Sequence, residues 1–213
     1  MRQLWWIVVA VMLAACQSAY YEVAEKAGYH KREILVDRVE DARDAQDDAQ
    51  EQFQSAQEQL LVLIDYQGGD IQDSYEDLAD EYEDSVAAAQ EVTDRIDAIE
   101  HVAEALFEEW AEEITEFQNA SFKADSQKKL KETQRRYSSL LSALRKSEKR
   151  MAPVLSAMND NVLYLKHNLN AQAVAALKVE FGRIEKDIDL LIAEMRKSIA
   201  SSNQFIDSLQ QGQ

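Results

Sequence analysis

Ile96-Asp-Ala-Ile99-Glu-His-Val-Ala103-Glu-Ala-Leu106-Phe-Glu-Glu-Trp110-Ala-Glu-Glu-Ile114-Thr-Glu-Phe117 sets its apolar residues at steps of three and four without interruption. That is the period of a helix packed lengthwise against other helices at a shallow angle. The same run reaches back through Ala89 and Tyr82 to Leu78, and Asp73-Ser-Tyr-Glu76 ahead of it reads as a variant of the capping box. A helix over about 73–118 follows.

Three further runs share the period. Leu35, Val39, Ala42, Ala49, Phe53, Ala56, Leu60 and Leu63 form the first, which extends back through Val23 and Ala27 and stops at Gly68-Gly69. Leu130, Tyr137, Leu140, Leu144, Met151, Val154, Met158, Leu165 and Leu169 form the third, in phase on both sides of Pro153. The fourth holds Leu177, Phe181, Ile184, Ile188, Leu191, Met195, Ile199, Phe205 and Leu209, with Asn170 as the cap at its start. The predicted helices cover about 18–66, 73–118, 122–169 and 171–209. One proline and five glycines in 213 residues, among abundant Ala, Glu, Gln and Leu, agree with that reading. Short connections between long helices favour antiparallel neighbours, so the expected fold is all-α: a long antiparallel four-helix bundle with coiled-coil-like packing, forming one elongated domain over 16–213. Narrow seams rich in alanine keep one alternative open, helical hairpins completed by dimerisation. Pro153 removes the donor for the carbonyl of Lys149, so a bend or local break is expected between about Lys149 and Val154.

The amino terminus has a different character. Arg2 precedes an apolar stretch from Leu4 to Val11, too short to span hydrocarbon but suited to an export signal. Leu13-Ala14-Ala15-Cys16 resembles the bacterial lipobox, in which the cysteine is acylated and the peptide before it removed. On that resemblance residues 1–15 are a signal peptide, Cys16 is the lipidation site and the mature chain is held to a bilayer, since several acyl chains make a lasting anchor. Gln17, where similar lipoproteins use Asp for inner-membrane retention, points to the periplasmic face of the outer membrane. No second cysteine exists to form an internal disulfide.

Charge divides the chain into unequal halves. Residues 17–119 carry thirty acidic and six basic side chains, whereas 120–213 carry ten acidic and sixteen basic. Glu104, Glu108, Glu109, Glu112, Glu113 and Glu116 precede the second turn, and Lys123, Lys128, Lys129, Lys131, Arg135 and Arg136 follow it. An antiparallel hairpin sets these two series side by side, where pairing selects neighbours at a few tenths of a kcal/mol per exposed pair. Arg145, Lys146, Lys149 and Arg150 form a basic strip on the third helix, free to face an anionic partner where the second helix is less acidic. Forty acidic against twenty-two basic side chains after residue 16 repel phosphate, so nucleic acid is not an expected partner.

The segments Met151-Ala-Pro153-Val-Leu-Ser-Ala-Met158 and Asn161-Val-Leu-Tyr-Leu-Lys166-His167-Asn168-Leu-Asn170-Ala resemble the characteristic region of a proteobacterial lipoprotein family known as domain of unknown function 2959. The likeness is sharpest from about residue 130 to 206. It implies an envelope lipoprotein with a helical fold and assigns no activity.

Catalytic motifs are not evident. The residues three before His30, His101 and His167 are Ala27, Ala98 and Tyr164, so the Glu-x-x-His of di-iron bundles is missing. Neither a phosphate-binding glycine loop nor a nucleophile elbow occurs. Gly28 and Gly182 interrupt helical patterns and are expected to permit close packing. The function expected is therefore a non-catalytic membrane-tethered scaffold without metal or cofactor, which binds an envelope protein or polymer and could form a homodimer. The alternative is a subunit of an envelope enzyme with its site at a partner interface. In an up-down-up-down bundle the first and third turns lie farthest from the lipid, which makes Lys166, His167 and Asn168, beside Gly68 and Gly69, the candidate partner site.

Overall fold

The computed structural model describes residues 31–65 and 71–210. Four helices fill them: α1 Lys31–Ile64, α2 Ile71–Glu116, α3 Ala120–His167 and α4 Ala171–Gln210. Each packs on two neighbours, in the ring order α1, α2, α3, α4 and back to α1. Side-chain bonds fix the directions. Arg43 reaches Asn203 and Arg196 reaches Gln50, so α4 descends as α1 rises. The bundle is thus antiparallel and closes its core within one chain, without hairpins having to be completed by a second copy. With 48 residues, α3 is about 70 Å long. Residues 1–30, including the signal segment, Cys16, Gln17, Gly28 and His30, lie outside the described part, as do Gly68 and Gly69 in the first turn.

Every apolar residue of the first run from Leu35 to Leu63 is buried, and Phe53, Ile96, Ile99, Leu140, Leu144, Leu165, Ile184, Ile188, Leu191 and Met195 are among the largest fully buried side chains. The core also takes positions that apolar spacing alone passes over. In α1 the seven-residue interval from Ala42 to Ala49 holds buried Gln46, and in α3 the interval from Leu144 to Met151 holds buried Ser147. On α4 the seam runs Met195, Ser198, Ser202, Phe205 instead of through Ile199, which is only half-buried. Phe117, expected on the inner face of α2, is exposed, because α2 ends at Glu116.

Local signals explain the helix ends and some departures from expectation. Asn119 does not end α2 but caps α3, its Oδ1 accepting the backbone N–H groups of Ser121 at 2.9 Å and Phe122 at 3.3 Å. α2 begins at Ile71, so Asp73 sits inside the first turn, where its charge suits the positive end of the helix dipole, and the expected capping box is not the start. Of the expected bend or local break at Pro153, the break does not occur: α3 stays helical from Ala120 to His167. Pro153 and Lys149 both face water, which can hydrogen-bond the carbonyl left without a donor, while Met151 and Val154 stay buried on the opposite side. Gly182 does not serve close packing: it is exposed, and a Cβ added there would meet nothing within 4 Å.

Candidate functional site

The end of the rod where α1 and α3 finish and α4 begins is built by two asparagines. Asn168 ends α3 with its N–H on the carbonyl of Leu165 at 2.9 Å and its side-chain amide on that of Tyr164 at 3.0 Å. Asn170 then caps α4, its Oδ1 accepting from the N–H groups of Gln172 and Ala173, each at 3.0 Å. Both asparagines are thereby committed to the turn. Lys166 and His167 remain exposed in the last turn of α3, a favourable place for positive charge, and make no ion pair among the described residues. Exposed apolar side chains gather at this end: Leu61 and Val62 on α1, Leu163 and Tyr164 on α3, and Val179 on α4. Sequence spacing does not reveal them, because each falls between core positions.

Midway along the rod, the basic strip separates into clamps and free cations. The Arg145 guanidinium crosses from α3 to Asp97 and Glu100 on α2 and also binds Glu148 at 2.9 and 3.0 Å. Burial opposes its charge, but the hydrogen bonds it donates to the three carboxylates outweigh this and hold its pKa above the ordinary value. Lys146 turns the other way, to Glu194 on α4 at 2.9 Å. Glu194 also meets Lys197 at 3.0 Å, and the hydrogen bonds from Lys146 and Lys197 lower its carboxyl to about 2. Lys149 and Arg150 are exposed and make no ion pair among the described residues. Arg145 and Lys146 are therefore occupied inside the bundle, which leaves Lys149 and Arg150 as the part of the strip open to solvent.

The pairing expected beside the second turn is also displaced. Lys129 binds Asp125 on its own helix at 3.1 Å, and Glu109 binds Lys31 of α1 at 2.9 Å. The charged clamp between α2 and α3 lies instead at Arg145. Below it Tyr137 stands edge-on to Phe107, ring centres 5.4 Å apart, and near Phe205 at 6.4 Å. Burial and the charge of Glu100 push its phenol up to about 12.

A buried polar layer crosses three of the helices. The Gln46 side-chain amide donates to Ser147 Oγ at 2.8 Å, and its carbonyl accepts from the Ser198 hydroxyl. All three residues are completely buried. Each serine also has a carbonyl of its own helix in reach, Leu144 or Met195, both at 2.8 Å. No buried side-chain nitrogen or oxygen among the described residues lacks a partner. A saturated layer of neutral groups specifies packing, and it places no charged acid or base beside its two serine hydroxyls.

Among the described residues, no three His, Cys, Asp or Glu side chains gather as a metal site, and no helix is long and apolar enough to cross a membrane. His101 and His167 stand exposed on different helices. The profile of the family described as Protein of unknown function (DUF2959) matches residues 20–209, so the chain belongs to that family. No curated protein and no solved structure matches it.

Proposed function

We propose that this family member is a lipid-anchored, non-catalytic scaffold of the bacterial cell envelope, with acylated Cys16 in the periplasmic face of the outer membrane. Its bundle holds a partner-binding surface at the far end. The observation that carries this reading is the distribution of exposed apolar side chains on a rod whose interior is filled. Among the described residues nine large apolar side chains are exposed, and five of them, Leu61, Val62, Leu163, Tyr164 and Val179, lie toward the end bearing Lys166 and His167, which supports that end as the contact surface for an envelope protein or polymer. Lys166 and His167 supply polar contacts, while Asn168 holds the turn in shape. The four packed helices act as a spacer of about 70 Å.

Two experiments test the two halves of the proposal. Cys16→Ser is expected to leave the membrane fraction or to retain its signal segment; normal processing with retention at the membrane refutes the anchor. Replacing Tyr164, Lys166 and His167 together by alanine, with folding confirmed by circular dichroism, is expected to remove a cross-linked species in intact cells. An unchanged cross-linking pattern refutes the distal surface and moves attention to Lys149 and Arg150.

A further inference from the structure

The opposite end of the rod carries a second exposed apolar group. Trp110 and Ser126 join α2 to α3 through a 2.9 Å hydrogen bond, and the Arg32 guanidinium lies 5.2 Å from the Trp110 ring centre. Past that level the α2–α3 hairpin continues, with Ile114 buried. At its turn stand Phe117, 41% exposed, and Phe122, 63% exposed, on either side of the capping Asn119. Two phenylalanines left in water at this three-residue turn are not required by the Asn119 cap, which uses only backbone N–H groups and its own side chain.

Chain geometry identifies what they meet. Lys31 pairs with Glu109, so the start of α1 lies about 12 Å short of Phe117 along the rod, eight residues at 1.5 Å each. Fourteen residues separate Cys16 from Lys31 and span at most about 50 Å when fully extended. The other end of α1 is itself about 50 Å from Lys31. A bilayer holding Cys16 is therefore readily within reach of the turn and barely within reach of the far end.

Resting on the lipid-anchor reading, we infer that the α2–α3 turn is a second membrane contact, with Phe117 and Phe122 entering the interfacial zone of the phospholipid leaflet that holds the acyl chains. Aromatic rings are at home in that zone. The flanking charges fit zwitterionic headgroups: Lys123 and Lys128 lie on the α3 side to meet phosphate, and exposed Glu112, Glu113 and Glu116 lie on the α2 side to meet the ammonium. Those same carboxylates oppose a strongly anionic surface. Anchor and turn together give two points of attachment, which stand the rod away from the membrane where a single flexible tether would let it lie in any direction.

The test uses the full lipidated chain reconstituted into phosphatidylethanolamine-rich vesicles, with and without bromine on the acyl chains. Phe122→Trp introduces an indole at an exposed position, read as the difference from the unsubstituted chain, whose only tryptophan after Cys16 is Trp110. The expected result is emission shifted to the blue and quenched by the brominated chains, with quenching weakened when Lys123→Gln and Lys128→Gln are added. Co-sedimentation of the protein with vesicles while that indole stays solvent-like overturns the turn contact and leaves the anchor standing. A blue shift without quenching means that protein, a second copy or a partner, covers the turn, and it overturns the inference equally. Failure of the full chain to co-sediment removes the anchor and the inference with it.

Discussion

Gln46→Ala removes four side-chain heavy atoms from a site with no solvent exposure and breaks the bonds to Ser147 and Ser198. The void and the two lost hydrogen bonds together cost about 2–4 kcal/mol, a large share of the ~5–15 kcal/mol by which such domains are stable. Gln46→Met fills nearly the same volume without polar groups. Ser147 and Ser198 then fall back on the carbonyls of Leu144 and Met195, both already at 2.8 Å, so no buried donor is left alone and the cost falls within about 1 kcal/mol. Ser198→Ala takes the opposite course: it leaves the Gln46 carbonyl buried without its donor, at about 1–3 kcal/mol, most of which returns when Gln46→Met is added. Urea unfolding of the four variants measures these differences directly, provided the slopes agree with the parent. If Gln46→Met proves as damaging as Gln46→Ala, the hydrogen bonds rather than the filled volume dominate the layer, and the reasoning fails.

Acid unfolding probes Glu194. Its carboxyl is lowered from 4.5 to about 2, so its contribution is present above 4.5 and disappears as pH falls through about 2; the stability gap between the parent and Glu194→Gln, followed by urea midpoints, should close over that window. Tyr137 titrates in the opposite sense. With the phenol raised from 10 to about 12, its contribution is full below pH 10 and lost as pH rises through 12, and Tyr137→Phe should flatten the alkaline limb of a thermal-stability profile. Arg145→Ala, which frees three carboxylates across α2 and α3, should cost about 1–2 kcal/mol, and Arg145→Lys should restore less than half, measured by chemical denaturation. Gly182→Ala should stabilise by up to about 1 kcal/mol, because the added methyl meets nothing and the helix gains propensity; a lowered melting temperature would show hidden packing there.

How far the sequence could be read depended on whether side-chain type and position carried the same message. Leu35 to Leu63 and Ile96 to Leu106 carry apolar residues at core positions, and both runs are buried as their spacing predicts. The core layer at Gln46, Ser147 and Ser198 was missed because a search for apolar residues skips polar ones. A regular seam continued through the seven-residue gaps at 42–49 and 144–151 would have found Gln46 and Ser147. Charge spacing proved a weaker guide. Arg145 lies in a basic cluster, yet its long side chain reaches the neighbouring helix and settles on Asp97 and Glu100, a choice made by the relative height of α2 and α3 that single-helix periodicity does not contain.

The two ends of the rod differ from its middle for one physical reason. In the middle, a seam residue on any helix is enclosed by two neighbours, so spacing alone forecasts burial. At the ends that enclosure stops, and the same spacing forecasts nothing. Phe117 continues the seam of α2 through Ile114, yet it projects past the last turn of the helix and is exposed. Tyr164 on α3 is accessible for a different reason, since it falls between the buried seam positions Val162 and Leu165. A self-contained bundle is best served by polar residues at such places, and Gln118 and Asn170 are of that kind. Phe117 and Phe122 at one end, and Leu163 and Tyr164 at the other, depart from that pattern, and this departure is what supports the contacts proposed for the two ends.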